Sequence, residues 1–428
     1  MIKGKRDTIA ASSLSFLRKL LCDYHPRDFA VRLWDGTAWP AETGQPTRYT
    51  MTVNHPGALR KMFLRLSERS LGEAYIANDF DIEGEMEHAF RLVDHFFNIR
   101  LNLAQRLRSG LFLSSLPAQR DAQAGSRAAH LHGAPHSGER DRKAVTHHYD
   151  ISNEFYALWL DERMVYSCAY FSGADDDLDT AQEQKLDYIC RKLRLRSGER
   201  LLDIGCGWGG LIIHAARNYG VEALGITLSR PQAELANEHI RRAGLADRCR
   251  AEVRDYREMN ETGGYDKLAS VGMFEHVGEK LLPEYFTRAW RLLRPGGVFL
   301  NHGIAWGFLP QTHRGASFIE RYVFPDGELV PLDATLRAAE RSGFEVRDVE
   351  SLREHYELTL KHWVRRLEEH RAKACRLTNE LTYRIWRLYM AGSAHGFKTG
   401  RINVYQTLLA KPDKGESGLP LTRADWYS

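Results

Sequence analysis

Metal-ligand spacing, disulfide spacing, a bilayer-length apolar run and a strong charge of one sign are all missing from this chain of 428 residues. Its six cysteines (Cys22, Cys168, Cys190, Cys206, Cys249 and Cys375) are scattered, with no C-x-x-C pair. That excludes a disulfide framework or a zinc site and predicts reduced thiols. No apolar run approaches the roughly 20 residues that a membrane-crossing helix requires, and the N-terminus lacks the apolar core and cleavage site of a signal peptide. Together these absences predict a cytoplasmic protein. The formal net charge of +4 excludes the strongly basic face of a nucleic-acid binder. Asp79-Phe80-Asp81-Ile82-Glu83-Gly84 opens like a calcium loop, but the twelfth position, where such a loop needs a bidentate Glu, is Phe90. The calcium reading fails, and these acids are expected to face solvent.

What is present is the composition of a globular protein, 43% hydrophobic and 27% charged, in a chain long enough for two domains. Its mild positive bias fits a protein that visits an anionic membrane surface, and equally a solvated exterior. Residues 1–115 alternate short extended and helical patterns and form a smaller α+β domain. Within them Ser13 to Leu21 sets Leu14, Phe16, Leu17, Leu20 and Leu21 against Arg18 and Lys19. This amphipathic helix either packs on its own domain or touches lipid. Residues 116–142, rich in Ala, Gly, Ser, His and Arg, cannot bury enough apolar surface to offset their ordering entropy and are expected to form a flexible linker.

Residues 143–412 carry an alternation of strands and helices, followed by a tail, 413–428. Leu201 to Ile204, Ala223 to Thr227, Lys267 to Val271 and Val298 to Ile304 predict strands. Gly209 to Asn218, Pro231 to Ala243 and Glu279 to Leu293 predict helices. The series is that of a doubly wound, Rossmann-like α/β sheet. Glu357 to Leu367 and Leu377 to Met390 predict further helices rich in Trp, Tyr and Arg, before a strand at Ile402 to Leu409.

The most informative stretch is Leu201-Leu202-Asp203-Ile204-Gly205-Cys206-Gly207-Trp208-Gly209, an apolar strand running into a glycine-rich turn that opens a helix. Glycines there let the backbone approach a ligand closely. The segment resembles the D-x-G-x-G-x-G turn of class I S-adenosylmethionine-dependent methyltransferases rather than a dinucleotide fingerprint. By that resemblance Asp203 faces the methionine amino group, with Gly205 and Gly207 along its backbone. The second strand ends without the acid that usually binds the ribose, so Thr227 and Gln232 are its polar substitutes. Asp255 offers a carboxylate for the adenine amine, while Tyr256 either packs on the base or is a plain packing residue.

Further segments resemble the cyclopropane-fatty-acid and mycolic-acid cyclopropane synthases from about residue 143 onward. They are Tyr149-Asp150, Tyr166-Ser167-Cys168-Ala169-Tyr170-Phe171, Thr227-Leu228-Ser229 with Gln232, Phe274-Glu275-His276-Val277-Gly278, His302-Gly303-Ile304 and Tyr322-Val323-Phe324-Pro325. Gly72-Glu73-Ala74-Tyr75 looks like the accessory domain of the longer bacterial lipid enzymes. The resemblance implies transfer of a methylene unit to the cis double bond of unsaturated phospholipid acyl chains, at the inner face of a membrane with which the protein associates peripherally. It also implies dimerisation through the N-terminal domain. The base would be a bound bicarbonate ion, held by the side chains of Glu275, His302 and Tyr322 and by backbone groups at Cys168 and Ile304. Tyr166 and Ser167 would line the methionine end of the cofactor.

Bland readings stand beside these. Glu275 can serve as a helix-dipole partner, His302 as a core histidine, Cys168 as a small buried residue, and His276 reads as structural. Many members of the family carry a cysteine where this chain has Ser393, and a serine without a base is a poor nucleophile. The surrounding helices are expected to wall an acyl pocket with their Arg and Lys turned to headgroups. A lipid C-methyltransferase making a methyl- or methylene-branched chain is the second reading. A small-amine N-methyltransferase is the third, and the long N-terminal domain counts against it.

Overall fold

The computed structural model describes residues 2–118, 137–138, 140–141, 151–173, 175–308 and 318–427. The expected linker, 116–142, lies mostly outside the described residues, as does Tyr149-Asp150. The chain forms two compact units, and it enters the first three times: residues 1–129, 315–323 and 379–395 make up unit 1. Residues 130–314, 324–378 and 396–428 make up unit 2.

Unit 1 opens with α1 (Ile2–Leu20), then β1 (Phe29–Arg32), β2 (Ala38–Trp39), β3 (Tyr49–Val53), α2 (Ala58–Phe63), α3 (Glu68–Ile76), β4 (Phe80–Gly84), α4 (Met86–Asn98) and α5 (Leu103–Ser115). Its sheet runs β2-β1-β3-β4, with β1 and β3 parallel and the outer pairs antiparallel. The apolar face of α1 is spent inside this unit: Leu14, Leu17 and Leu21 are buried, and Phe16 packs 5.8 Å from Phe63 and 5.3 Å from Phe112. Asp79 does not face solvent as expected. It is buried, with His55 at 2.8 Å and Lys61 at 2.7 Å, because a carboxylate between two such donors keeps its charge compensated away from water.

Unit 2 begins with α6 (Asn153–Tyr156) and α7 (Leu178–Leu193), followed by the alternation β5 (Arg200–Ile204), α8 (Gly210–Tyr219), β6 (Glu222–Thr227), α9 (Arg230–Arg242), β7 (Cys249–Val253), β8 (Tyr265–Val271), α10 (Leu282–Leu292) and β9 (Leu293–Trp306). After α11 (Phe318–Tyr322), which belongs to unit 1, come α12 (Leu332–Arg341), β10 (Glu345–Ser351), α13 (Arg353–Glu369), α14 (Arg371–Leu377), α15 (Glu380–Lys398), which belongs to unit 1 as far as residue 395, and β11 (Ile402–Ala410). The seven strands order as β10-β11-β9-β8-β5-β6-β7, parallel from β9 to β7, with β11 antiparallel to both its neighbours.

Alternate residues of β5 feed two cores. Leu201 joins Ile189, Leu193, Ile212 and Ala236 on the face of α7, α8 and α9, while Leu202 joins Phe286, Phe299 and Phe344 on the face of α10 and α12. This is the doubly wound sheet expected, and its parallel strands are apolar on both faces for that reason. The tail is not loose in the described residues. Trp426 is buried, its carbonyl accepts from Arg191 at 2.9 Å, and Asp425 pairs with Arg194.

Candidate functional site

The ligand cavity of unit 2 opens at the carboxyl ends of β5, β6 and β8, where an open α/β sheet places its ligands. Nine residues singled out from the sequence line it together: Tyr166, Ser167, Asp203, Gly205, Gly207, Thr227, Gln232, Asp255 and Tyr256. The glycine turn explains its own composition. Gly205 has φ +90°, and a Cβ there would stand 2.7 Å from Cβ of Met273. Gly207 has φ +53° and a Cβ would project into open space, so the missing side chain is room for a ligand.

Asp203 supplies the charge. Its Oδ1 is buried without a hydrogen bond, and burial pushes the carboxyl up to about 7, against the opposing pull of the Lys185 ammonium. An unbonded buried acceptor on a cavity wall is the partner an ammonium group needs. Thr227 Oγ1 donates to Gln232 Oε1 at 2.9 Å, which leaves the Gln232 amide nitrogen as the donor at this wall. Ser229 caps α9 by accepting from the backbone N–H of Gln232, so the cap fixes where Gln232 stands. The Asp255 carboxylate is less free than expected. Arg257 Nη2 approaches its Oδ2 at 2.7 Å, and the same guanidinium reaches Asp141 at 3.0 Å.

One wall went unread in the sequence. Helix α7 sends Lys185 into the cavity, fully buried, donating to Ser167 Oγ at 2.9 Å. One turn earlier, Gln182 Nε2 donates to the carbonyls of Val165 and Ser167, at 3.2 and 2.9 Å. With Asp161 Oδ1 accepting from the Val165 amide at 2.7 Å, these two side chains hold the loop that carries Tyr166 and Ser167. Burial lowers Lys185 to about 8, with Asp161 opposing the shift. The available signal was a pair of polar residues at helical spacing, i and i+3, on the buried side of an amphipathic segment. His276, read as structural, also lines the cavity.

The second group of expected residues is apart from this wall. Glu275 sits in a tight turn after β8, and its Oε1 accepts from the Ile304 amide at 2.6 Å. The Ile304 N–H is therefore taken by Glu275. Oε2 of Glu275 is buried without a partner, and burial lifts the carboxyl to about 7. His302, two residues back along β9, is 1% exposed. Its Nδ1 meets Gln406 Nε2 at 3.2 Å, and its Nε2 is buried with no hydrogen bond. Burial, with Lys185 and Lys192 adding to it, lowers the imidazole to about 3, so it is neutral. The Cys168 thiol donates to the Ala169 carbonyl at 3.2 Å, and burial raises its pKa far out of the nucleophilic range.

Tyr322 lies in unit 1, where its hydroxyl donates to Glu73 Oε1 at 3.1 Å. Ser393 also lies in unit 1, nearly buried on α15, and its hydroxyl makes no hydrogen bond among the described residues. The arginines of α15 are not turned to headgroups. Arg384 donates to the carbonyls of Tyr75 and Phe80, and Arg387 to the Tyr75 hydroxyl and the Ile82 carbonyl, each at 2.8 or 2.9 Å. Buried carbonyls of β4 and its approach need donors, and a planar guanidinium satisfies several at once.

The cavity walls fit S-adenosylmethionine: an orphaned carboxylate, a glycine cradle and an amide donor lie on one sheet edge. Comparison with known proteins agrees. The family model described as mycolic acid cyclopropane synthetase matches residues 136–407, and a model described as a domain of unknown function matches 16–98. The chain is 41% identical over 401 residues to a probable fatty acid methyltransferase of Pseudomonas putida, covering 93% of this chain and 95% of that one. It is 31% identical over 430 residues to tuberculostearic acid methyltransferase UfaA1 of Mycobacterium tuberculosis, covering 96% and 94%. The solved structure of mycolic acid cyclopropane synthase CmaA1 complexed with SAH and CTAB matches with a TM-score of 0.59 at 34% identity, over 63% of this chain and 97% of that one. Fold, cavity and sequence agree: the chain belongs to the mycolic acid cyclopropane synthetase family and is an S-adenosylmethionine-dependent methyltransferase.

Proposed function

We propose that the protein transfers a one-carbon unit to the cis double bond of an unsaturated phospholipid acyl chain and closes a cyclopropane ring, with bicarbonate as the proton-abstracting base. The observation that carries this reading is the pair of unbonded buried atoms in unit 2, Oε2 of Glu275 and Nε2 of His302. They offer a proton acceptor and a neutral donor, the complement of an oxyanion that also bears a hydroxyl. Relatives named as a probable fatty acid methyltransferase, a tuberculostearic acid methyltransferase and a mycolic acid cyclopropane synthase support an acyl substrate.

When bound, S-adenosylmethionine supplies an electrophilic sulfonium methyl. Asp203 would hold its ammonium group, Gly205 and Gly207 give its backbone room, and Thr227 with Gln232 face the ribose. Ser167, fixed by Lys185, and Tyr166 border the methionine end. Glu275, whose carboxyl is poised near neutrality, takes up a proton at Oε2. His302 stays neutral and donates through Nε2. Of the backbone groups at Ile304, the amide donates to Glu275 and holds that side chain in place.

Access to lipid comes from the water side. Among the described residues no helix is long and apolar enough to cross a membrane. Helix α5 instead presents Leu103, Leu107 and Leu111 at 74%, 60% and 73% exposure, one face of one helix. Arg100, Arg106 and Arg108 accompany them, and no acid occurs between Asp94 and Asp121. An apolar stripe on a segment that carries cations and no acid of its own suits an anionic bilayer surface.

Cells expressing the protein are expected to gain phospholipid acyl chains heavier by one methylene, with ring-proton signals in NMR of the extracted lipid. Glu275→Gln is expected to lose this product while retaining S-adenosylhomocysteine binding. No mass-shifted lipid from folded, cofactor-binding protein would overturn the acyl assignment. Vinyl or branched-methyl signals at the same mass would select the second reading, a lipid C-methyltransferase, which the names of the two full-length relatives favour.

A further inference from the structure

His302 has a neighbour on the far side of its ring. Gln406 on β11 stands directly opposite it in the register of β9 and β11, and both side chains are 1% exposed. Gln406 has an oxygen and a nitrogen to place, and a third residue decides between them. Lys192 of α7, fully buried, brings Nζ to 2.8 Å from Oε1 of Gln406. The same ammonium is hydrogen-bonded to Glu350 and lies 3.8 Å from Asp348.

An ammonium group only donates, so the Gln406 oxygen must face Lys192. The Gln406 amide nitrogen then faces Nδ1 of His302 at 3.2 Å, and an amide NH2 also only donates. Nδ1 is consequently the ring's acceptor. A neutral imidazole has one N–H, and with Nδ1 occupied as a lone pair that hydrogen sits on Nε2. Nε2 is the atom buried without a partner. A buried donor with nothing to donate to is rare in a native interior and marks the place of a ligand.

We propose that Lys192 and Gln406 are positioning residues that lock His302 in its Nε2–H tautomer, so that unit 2 presents one neutral donor to a bound oxyanion of the carboxylate class. The lock follows from the three side chains themselves. Only the identity of the oxyanion, bicarbonate, rests on the reading given under Proposed function. The order of charges matters here. Glu350 anchors Lys192, Lys192 orients Gln406, and Gln406 sets the ring, so a charge outside the site fixes the direction of a hydrogen bond inside it. Without Lys192 the Gln406 amide could turn over, offer its oxygen, and draw the hydrogen to Nδ1. Nε2 would then be an acceptor, repelling the anion it should hold.

Ring-nitrogen NMR on the full chain with labelled histidine reads this directly, since protonated and bare imidazole nitrogens resonate far apart. His302 is expected to show bare Nδ1 and protonated Nε2. Gln406→Glu, nearly isosteric and able to keep the Lys192 contact, is expected to move the hydrogen to Nδ1, and Lys192→Met to mix the two forms while Lys192→Arg restores the parent pattern. Bicarbonate binding, followed by calorimetry with S-adenosylhomocysteine present, is expected to weaken roughly tenfold or more in Gln406→Glu, as loss of a hydrogen bond to a charged group does. His302 with its hydrogen on Nδ1 in the parent protein overturns the lock. Unchanged bicarbonate affinity in a Gln406→Glu protein whose tautomer has inverted overturns its purpose, and so does a parent protein that does not bind bicarbonate. A parent protein that shows the lock and binds bicarbonate, yet yields no altered lipid, supports this proposal and overturns only the acyl-chain reading.

Discussion

Asp203 lies on the cavity wall with Oδ1 unbonded and its carboxyl pushed up to about 7 by burial. Near neutrality the empty site therefore holds this group partly protonated, while an ammonium-bearing ligand requires it ionised. Affinity for S-adenosylhomocysteine is expected to be level above about pH 7 and to fall by about tenfold for each unit below it. Asp203→Asn is expected to bind weakly at every pH and to show no such slope, which calorimetry across the range will measure. A parent protein without the slope would mean that Lys185 keeps the carboxylate ionised throughout. Glu275 is raised for the same reason, but its neighbour is a backbone amide rather than a cation, and it remains available as a proton acceptor.

At the scale of elements, α5 shows Leu103, Leu107 and Leu111 to solvent, while α1, whose sequence left packing on its own domain and lipid contact both open, buries Leu14, Leu17 and Leu21. Flotation with vesicles of phosphatidylglycerol and phosphatidylcholine separates the two. Replacing Leu103, Leu107 and Leu111 together by serine is expected to weaken vesicle binding at least about tenfold. Arg106→Gln with Arg108→Gln is expected to weaken binding to the anionic vesicles and leave neutral ones unaffected. Unchanged flotation with loss of a dimer on sedimentation would assign the stripe to a second copy of the chain.

Legibility in the sequence followed chemistry element by element. The glycine turn and the central strands could be read because parallel strands buried on both faces are apolar throughout. β7 and β10 were not read, and both are sheet edges, where charges such as Arg250, Glu252, Arg347 and Asp348 break the pattern. Helix α7 was missed because Gln182, Lys185 and Lys192 occupy its buried side and dilute its apolar period. Those polar residues serve the site, so the feature that hid the helix is the reason it matters. Leu377 to Met390 was read as one helix, whereas the chain breaks at Thr378 (φ −130°, ψ −103°) between α14 and α15. The local signal is Asn379, whose Oδ1 accepts from the Thr382 amide at 2.8 Å and caps the start of α15.

For the whole molecule, every residue lining the cofactor cavity belongs to unit 2. Saturation with S-adenosylhomocysteine at about a hundred times its dissociation constant should add about 2.7 kcal/mol to the unfolding of that unit. In calorimetry at one fixed ligand concentration the transition of unit 2 is expected to move upward, and by more at about pH 8 than at about pH 6, because Asp203 must lose its proton on binding. An equal shift at both pH values would separate the stabilisation from Asp203.

The threefold entry of the chain into unit 1 bears on how such an enzyme can be cut. A fragment starting at residue 136, where the family match begins, would still contain α15, whose Arg384 and Arg387 exist to satisfy carbonyls that the fragment has discarded. Gly72, against which Phe318 is seated, would be gone as well. The excised piece would carry a helix dressed for a host it no longer has. Grafting the N-terminal region onto a shorter relative would likewise demand an α15 in the recipient that offers the same donors.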